Sequence, residues 1–286
     1  MISDITLGQF FPGFSLLHKL DPRSKILLAT LFIVAVFLAN TPISLLFLTL
    51  ITLFLVVISR ISLKVVLKGI KPIIFILVFT SLLNIFMTKG AGEPLLHFAF
   101  ISIYSEGIIR AIFMSLRVII LIIGTSMLLT YTTSPISLTD GLESLLKPLK
   151  LIGVPVHTFA MMMTIALRFI PTLVEETEKI MNAQKSRGAD FTSGSLIKRA
   201  KALIPILIPL FVSAFKRAEE LATAMECRCY RGDKNRTKLV KLELRARDYL
   251  TLISSLVIFA AVLYIRVIAP SINTEQLIYK IIFYKV

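Results

Sequence analysis

Apolar runs divide the chain before any motif does. From residue 25 to residue 58 almost every position is hydrophobic, with one interruption at Asn40-Thr41-Pro42. That tripeptide is a turn signal, so the run predicts two short membrane spans joined as a hairpin. Each is about 17 residues, close to the least that crosses a bilayer. Arg60, Lys64, Lys68 and Lys71 follow, and predict a short basic amphipathic helix. A third span opens at Pro72 and ends near Met87; residues 89–94 read as an outside loop and residues 95–104 as a segment re-entering the interface. A fourth span runs from Ser105 or Glu106 to about Tyr131, and the last clear one covers residues 249–268, with a tail at 273–286. The expected fold class is all-α: a polytopic membrane protein with about five transmembrane helices.

Between residues 132 and 247 the pattern is different: less continuously apolar, rich in charge, and amphipathic at helical spacing. Ser137 with Asp140 resembles a capping-box start. Leu138, Leu142, Leu145, Leu146 and Leu149 form a stripe, which predicts a short helix lying on the membrane before Pro148 and Pro155 bend the chain. Two amphipathic helices follow, and each finishes in an arginine. The first is expected from Pro171, with Leu173, Thr177, Ile180, Gln184 and Arg187 three to four apart on one face. Ser186-Arg187-Gly188 ends it, and the glycine suits a left-handed cap because it lacks the Cβ that clashes there. The second lies within residues 197–230, where Pro205 and Pro209 are expected to kink or break it. Phe215, Ala218, Leu221, Met225 and Arg228 are assigned to one side of it. An arginine in the last turn meets the negative end of the helix dipole and leaves its guanidinium free to bind beyond the helix. Simple capping accounts for either copy alone; two copies in one hydrophobic protein point to docking. The expected organisation is residues 1–131 (tail and four spans), 132–247 (cytoplasmic helices) and 248–286 (last span and outer tail).

Composition agrees with a membrane protein: 56% hydrophobic, 17% charged, mean hydropathy +0.84. The net charge of +15 could suggest nucleic acid. Its distribution argues otherwise, because no aromatic residues interleave a basic patch. Of the 32 basic residues, 26 lie in residues 1–25, 59–71 and 132–247, whereas the other inter-span segments hold only Lys89, Lys280 and Lys285. The positive-inside rule then sets the N-terminus in the cytoplasm and the C-terminus outside a cell membrane. No cleavable signal peptide is visible in residues 1–25. Cys227 and Cys229 are expected to be reduced and incidental.

The chemistry of an enzyme is missing. No P-loop sequence and no H-E-x-x-H occur, and His18, His97 and His157 are dispersed, so neither a metal nor a cofactor is expected. Glu175, Glu176 and Glu178 are placed in the N-terminal half of a helix, where they complement its dipole. Arg110 and Arg117 lie seven apart on the fourth span. A charge in a bilayer is costly and is usually paired or functional, and both readings of this pair stay open.

Several stretches resemble one family along nearly the whole chain. They are Gly8-Gln9, Pro12-Gly13, Ser15 and His18-Lys19-Leu20-Asp21-Pro22-Arg23-Ser24-Lys25; Ser134-Pro135, Leu138, Gly141-Leu142-Glu143, Leu146-Lys147-Pro148-Leu149 and Val154-Pro155; and Ala166-Leu167-Arg168-Phe169-Ile170-Pro171 with the two arginine endings. Together they resemble the transmembrane T component of energy-coupling-factor (ECF) transporters, a branch of the ABC importers. The resemblance implies two long cytoplasmic coupling helices crossing as an X. Each carries an Ala-Arg-Gly-like end that docks on one of two ABC ATPase subunits. It also implies a substrate-binding membrane S component as partner, and a non-catalytic role linking ATP hydrolysis to uptake of a vitamin or other micronutrient. The docking set is then Ser186, Arg187 and Gly188 with Cys227, Arg228 and Tyr230, Arg231 standing as the alternative to Arg228. The coupling faces are Leu173, Ile180 and Gln184, and Phe215, Leu221 and Met225. The opening resembles the version shared among vitamin-specific S components more than the dedicated cobalt or nickel version. A stand-alone membrane enzyme or channel using Arg117 is the reading from another class.

Overall fold

The computed structural model describes residues 10–88, 96–98, 101–191, 195–232 and 242–268. The outside loop expected at 89–94, most of the basic connector after Arg231 and the tail at 273–286 lie outside these residues. Helix starts follow the local chemistry. Helix α1, Pro22–Leu38, begins where the Asp21 carboxylate accepts the Arg23 N–H at 2.9 Å and Pro22 fills the first position. Helix α2, Pro42–Ser59, begins with a reciprocal cap between Thr41 and Ser44 at the expected turn. The basic amphipathic helix is α3, Leu63–Ile70; a 3₁₀ turn at Lys71–Ile73 carries it into α4, Ile74–Met87.

Where an interface-re-entering segment was expected, strands β1 (Leu96–Phe98) and β2 (Ile101–Ile103) pair antiparallel, with His97 opposite Ser102. Helix α5, Ser105–Thr125, passes into a π-helical turn at Ser126–Thr130, closed by Tyr131 N–H to Ser126 O at 2.9 Å. Helix α6 is Pro135–Leu145, and its cap is Ser134 rather than Ser137: the Ser137 N–H donates to Ser134 Oγ at 3.2 Å. Pro135 has no N–H to satisfy, so it fits the first turn and shifts the start upstream.

Helix α7, Val156–Ser186, contains Pro171 instead of starting there, and α8, Leu196–Cys227, runs unbroken through Pro205 and Pro209. Each proline removes one backbone bond. A helix of over 30 residues already past nucleation tolerates that loss, so the expected break does not occur. Helix α9 is Ala246–Ile268.

Five of these segments are long and apolar enough to cross a membrane: Pro42–Ser59, Leu63–Met87, Ser105–Thr130, Val156–Ser186 and Ala246–Ile268. Four match expected spans. The fifth is α7, whose apolar first half had been assigned to the cytoplasmic part. The expected first span, α1, is not among them; at 17 residues it is one shorter than α2.

The chain folds as two compact units, Phe10–Gly141 with the segment from Leu242 onward, and Leu142–Lys241. In the first, α1 runs antiparallel to α5 and the pair is tied at both ends. At one end the Lys25 ammonium, 2% exposed, donates to the Thr132 carbonyl at 2.8 Å. At the other, the Arg117 guanidinium donates to the Ala39 carbonyl at 2.7 Å and to Asn40 Oδ1 at 3.4 Å. The ties are 14 residues apart on α1 and 15 apart on the α5 side, about 21 and 22 Å of helix. Between them Gly124 meets the Phe32 ring so closely that a Cβ would overlap it. Arg117 therefore has a structural partner at the C-terminal end of α1.

The Lys25 end is a buried polar knot. Asp248, 2% exposed, accepts the Asp21 N–H at 2.8 Å and the Arg245 N–H at 2.9 Å, which binds the starts of α1 and α9 together. The opening segment is ordered against it. Phe11 N–H donates to the Tyr131 carbonyl at 3.1 Å, and His18 bridges Ser15 Oγ at 2.7 Å and the Phe11 carbonyl at 2.9 Å. Gly141 on α6 lies against Pro22, where an added Cβ would come within 2.9 Å. Apolar packing fills the space between these ties, with Phe32, Val36, Leu48, Ile120 and Val262 buried.

Removing one member of this knot leaves buried groups without partners. Asp248→Ala is expected to cost about 3–5 kcal/mol in reversible unfolding of the purified protein. Arg117→Met, which strands a single carbonyl, is expected to cost about 1–3 kcal/mol. Unfolding curves matching the parent chain would refute both assignments.

Candidate functional site

The two arginine endings have one backbone design. At the end of α7, Arg187 is the C-cap with φ −90° and ψ 10°, and Gly188 is left-handed at φ +85°. Gly188 N–H donates to Lys185 O at 2.9 Å and Ala189 N–H to Gln184 O at 3.0 Å. At the end of α8, Arg228 has φ −91° and ψ 15°, and Cys229 is left-handed at φ +55°. Cys229 N–H donates to Glu226 O at 2.8 Å and Tyr230 N–H to Met225 O at 3.1 Å. Both are Schellman caps, with the same two bonds closing the same positions. Helix α8 thus stops at Arg228 although no glycine follows it, and Gly232, at φ +75°, lies beyond the cap.

Cys229 is one of only two non-glycine residues with positive φ among the described residues. A left-handed backbone costs an L-residue roughly 1–2 kcal/mol, so this end of the chain carries strain that the α7 end does not. Cys227-Arg228-Cys229 has no glycine, yet its bonds close the same cap.

Exposure sorts the candidate residues. Ser186, Arg187, Gly188, Cys227, Arg228 and Arg231 are exposed, and Tyr230 is half-buried. The guanidinium groups of Arg187 and Arg228 bond to no described residue. Leu173, Thr177, Ile180 and Gln184 are half-buried together, a continuous ridge on α7. On α8, Leu221 and Met225 are half-buried with Arg217, but Phe215 is 70% exposed. Phe215 therefore leaves the face to which the spacing assigned it. Six residues turn the helix about 600°, so Leu221 sits about 120° round from Phe215. Phe215 instead extends an exposed apolar stripe with Ile204, Ile208 and Phe211.

Glu176 lies in the C-terminal half of α7, since that helix starts at Val156, so its expected dipole role does not apply. It forms an ion pair with Arg217 of α8 at 2.8 Å, with side chains 23% and 38% exposed. Pairs this open contribute little, about 0–1 kcal/mol. The pair does mark where the two long helices meet, about two-thirds of the way along each. Sequence spacing gave no sign of it, because nothing local relates residues 41 apart. The same holds for Asp248, whose partner Asp21 is 227 residues away.

Strain at one cap and its absence at the other make opposite expectations. Cys229→Gly should slow amide exchange at Tyr230 several-fold. Gly188→Ala, in a left-handed position with open space around it, should speed exchange at Ala189 by about tenfold, as a cost of roughly 1–2 kcal/mol requires. Equal exchange in parent and variants would contradict the assigned caps.

A family model described as cobalt transport protein (CbiQ) matches residues 13–239 of the chain. Among similar proteins, the energy-coupling factor transporter transmembrane protein EcfT of Clostridium kluyveri is 55% identical over 258 residues, covering 90% of this chain and 95% of that protein. The EcfT protein of Ruminiclostridium cellulolyticum is 59% identical over 250 residues, 87% of this chain and 92% of its own. That of Bacillus subtilis is 49% identical over 266 residues, 93% of this chain and 100% of its own. With its apolar helices and this similarity over most of its length, the chain belongs to the CbiQ/EcfT family of multi-pass transmembrane components of energy-coupling factor transporters.

Proposed function

We propose that this transmembrane component is the non-catalytic lever between two ABC ATPase subunits and a substrate-binding membrane S component. The observation that carries the reading is the pair of matching caps, each presenting an exposed arginine without a partner in the described chain. Arg187 and Arg228 would each enter a groove on one ATPase and donate charge-assisted hydrogen bonds to carboxylates or carbonyls there. Ser186, Gly188, Cys227 and Tyr230 shape the two tips. Arg228 is preferred over Arg231 because only Arg228 holds the C-cap position that Arg187 holds.

Closure of the ATPase dimer on ATP would shift the two tips relative to each other. Helices of 31 and 32 residues, roughly 46 and 48 Å long, carry such a shift far from the tips. The proposed coupling faces are the half-buried ridge of α7 and Leu221 with Met225 on α8. The exposed stripe ending at Phe215 is the proposed contact for the S component, which would itself hold the vitamin or other micronutrient. A stand-alone channel or enzyme built on Arg117 is disfavoured, since that guanidinium is committed to the Ala39 carbonyl.

Orientation belongs to the same proposal. Helix α1 is tied alongside α5 at both ends, so it crosses with α5 despite its length. Five crossings by α1, α2, α4, α5 and α9 would put the basic segments inside under the positive-inside rule, with the N-terminus cytoplasmic and the C-terminus outside.

The test is ATP-driven uptake by the reconstituted complex. Arg187→Ala with Arg228→Ala is expected to reduce uptake at least tenfold, because losing one buried charged contact costs about 2–5 kcal/mol. Arg231→Ala should leave uptake near the parent level. Undiminished uptake by the double variant would sink the docking role.

A further inference from the structure

The first unit has a cleft of about 580 Å³ between α1, α2 and α9, floored at one end by Leu16, Leu17 and Leu20 of the opening segment. We propose that it holds one anionic phospholipid, with an acyl chain along α9 and the phosphate on Arg247.

The lining is hydrocarbon almost throughout, from Leu28 and Phe54 to Leu250. Its few hydroxyls are already used by the chain itself. Thr251 donates to Asp248 O at 2.9 Å, Ser254 to Thr251 O at 2.8 Å, and Ser255 to Leu252 O at 2.7 Å. No hydroxyl proton is left to donate to a polar ligand along the walls, and an apolar groove in a bilayer is filled by hydrocarbon rather than water.

Length suits an acyl chain. The part of α9 that lines it, Ala246 to Phe259, rises about 20 Å. That is close to one leaflet with its headgroup layer, half of ~40–45 Å.

Charge selects the headgroup. Arg247 is the one charged residue of the lining and stands in the first turn of α9; it is exposed and pairs with no described residue. Arg245 is exposed beside it, as is Lys19 in the opening segment, with Glu243 the exposed carboxylate of residues 242–247. Asp248 presents no acceptor at this surface, because it is 2% exposed and each of its carboxylate oxygens accepts a backbone N–H. A guanidinium matches a phosphate in shape and charge. The same end of the bundle holds the buried Lys25 knot, so the lipid would seal the side of that buried polar cluster.

Photocrosslinking tests this on the full chain in vesicles of equal phosphatidylglycerol and phosphatidylcholine. A benzophenone amino acid at Ser254, which lines the cleft and is exposed, is expected to capture phosphatidylglycerol about tenfold over phosphatidylcholine. The same group at Phe75, 78% exposed on α4, samples bulk lipid and should show no preference. Arg247→Glu should abolish the preference at Ser254 without altering the Phe75 control. Equal capture of the two lipids at Ser254, an unchanged preference in Arg247→Glu, or capture of a second polypeptide in place of lipid in native membranes would overturn the proposal.

Discussion

Two cation-to-carbonyl bonds fix the geometry of the membrane bundle. Lys25 of α1 reaches the carbonyl just past α5, and Arg117 of α5 reaches the carbonyl just past α1. Each helix supplies the donor that the other's end lacks, since the last carbonyls of a helix have no intrahelical partner. Coulomb attraction and orphan acceptors are strengthened by the low dielectric, so the two bonds hold register as well as distance. The π-turn at Ser126–Thr130 belongs to this arrangement, because it reshapes the backbone immediately before Thr132. The Gly124 contact with Phe32 is its steric counterpart midway along.

Much of the fold was legible in sequence because its causes are local. Asp21-Pro22 launched α1, Asn40-Thr41-Pro42 turned the hairpin, the run of Arg60 to Lys71 made a short amphipathic helix, and Gly188 took the left-handed position. The errors came from applying local rules to long elements. Pro171 reads as a helix start and Pro205 and Pro209 as kinks or breaks, but helices of this length run through all three. Phe215 was assigned to a face by three-residue steps, each of which drifts about 60° on a helix of 3.6 residues per turn. The ties of Lys25, Arg117 and Asp248 were out of reach, because their partners are distant carbonyls and amides that no side-chain pattern encodes.

Of the candidate site, the two arginine endings were legible as copies, but not that both close with the same backbone cap. Cys229 hides it, since a cysteine does not announce a left-handed backbone. Only the paired bonds at Lys185 and Gln184, and at Glu226 and Met225, reveal that the two helix ends are built alike. The contrast between the two units is mechanical. The bundle is held by buried, charge-assisted bonds, whereas α7 and α8 meet at half-buried ridges and a partly exposed ion pair. Weakly held helices with rigid ends suit parts that move and transmit.

The movement of those ends is the central claim, and a distance measurement tests it most directly. Spin labels at exposed Lys185 and Glu226, in a complex whose Cys227 and Cys229 are replaced by serine, report the separation of the two tips. Different label-to-label distances are expected for the nucleotide-free and ATP-bound complex, with a return to the first after hydrolysis. One unchanged distance through the whole cycle would contradict that movement.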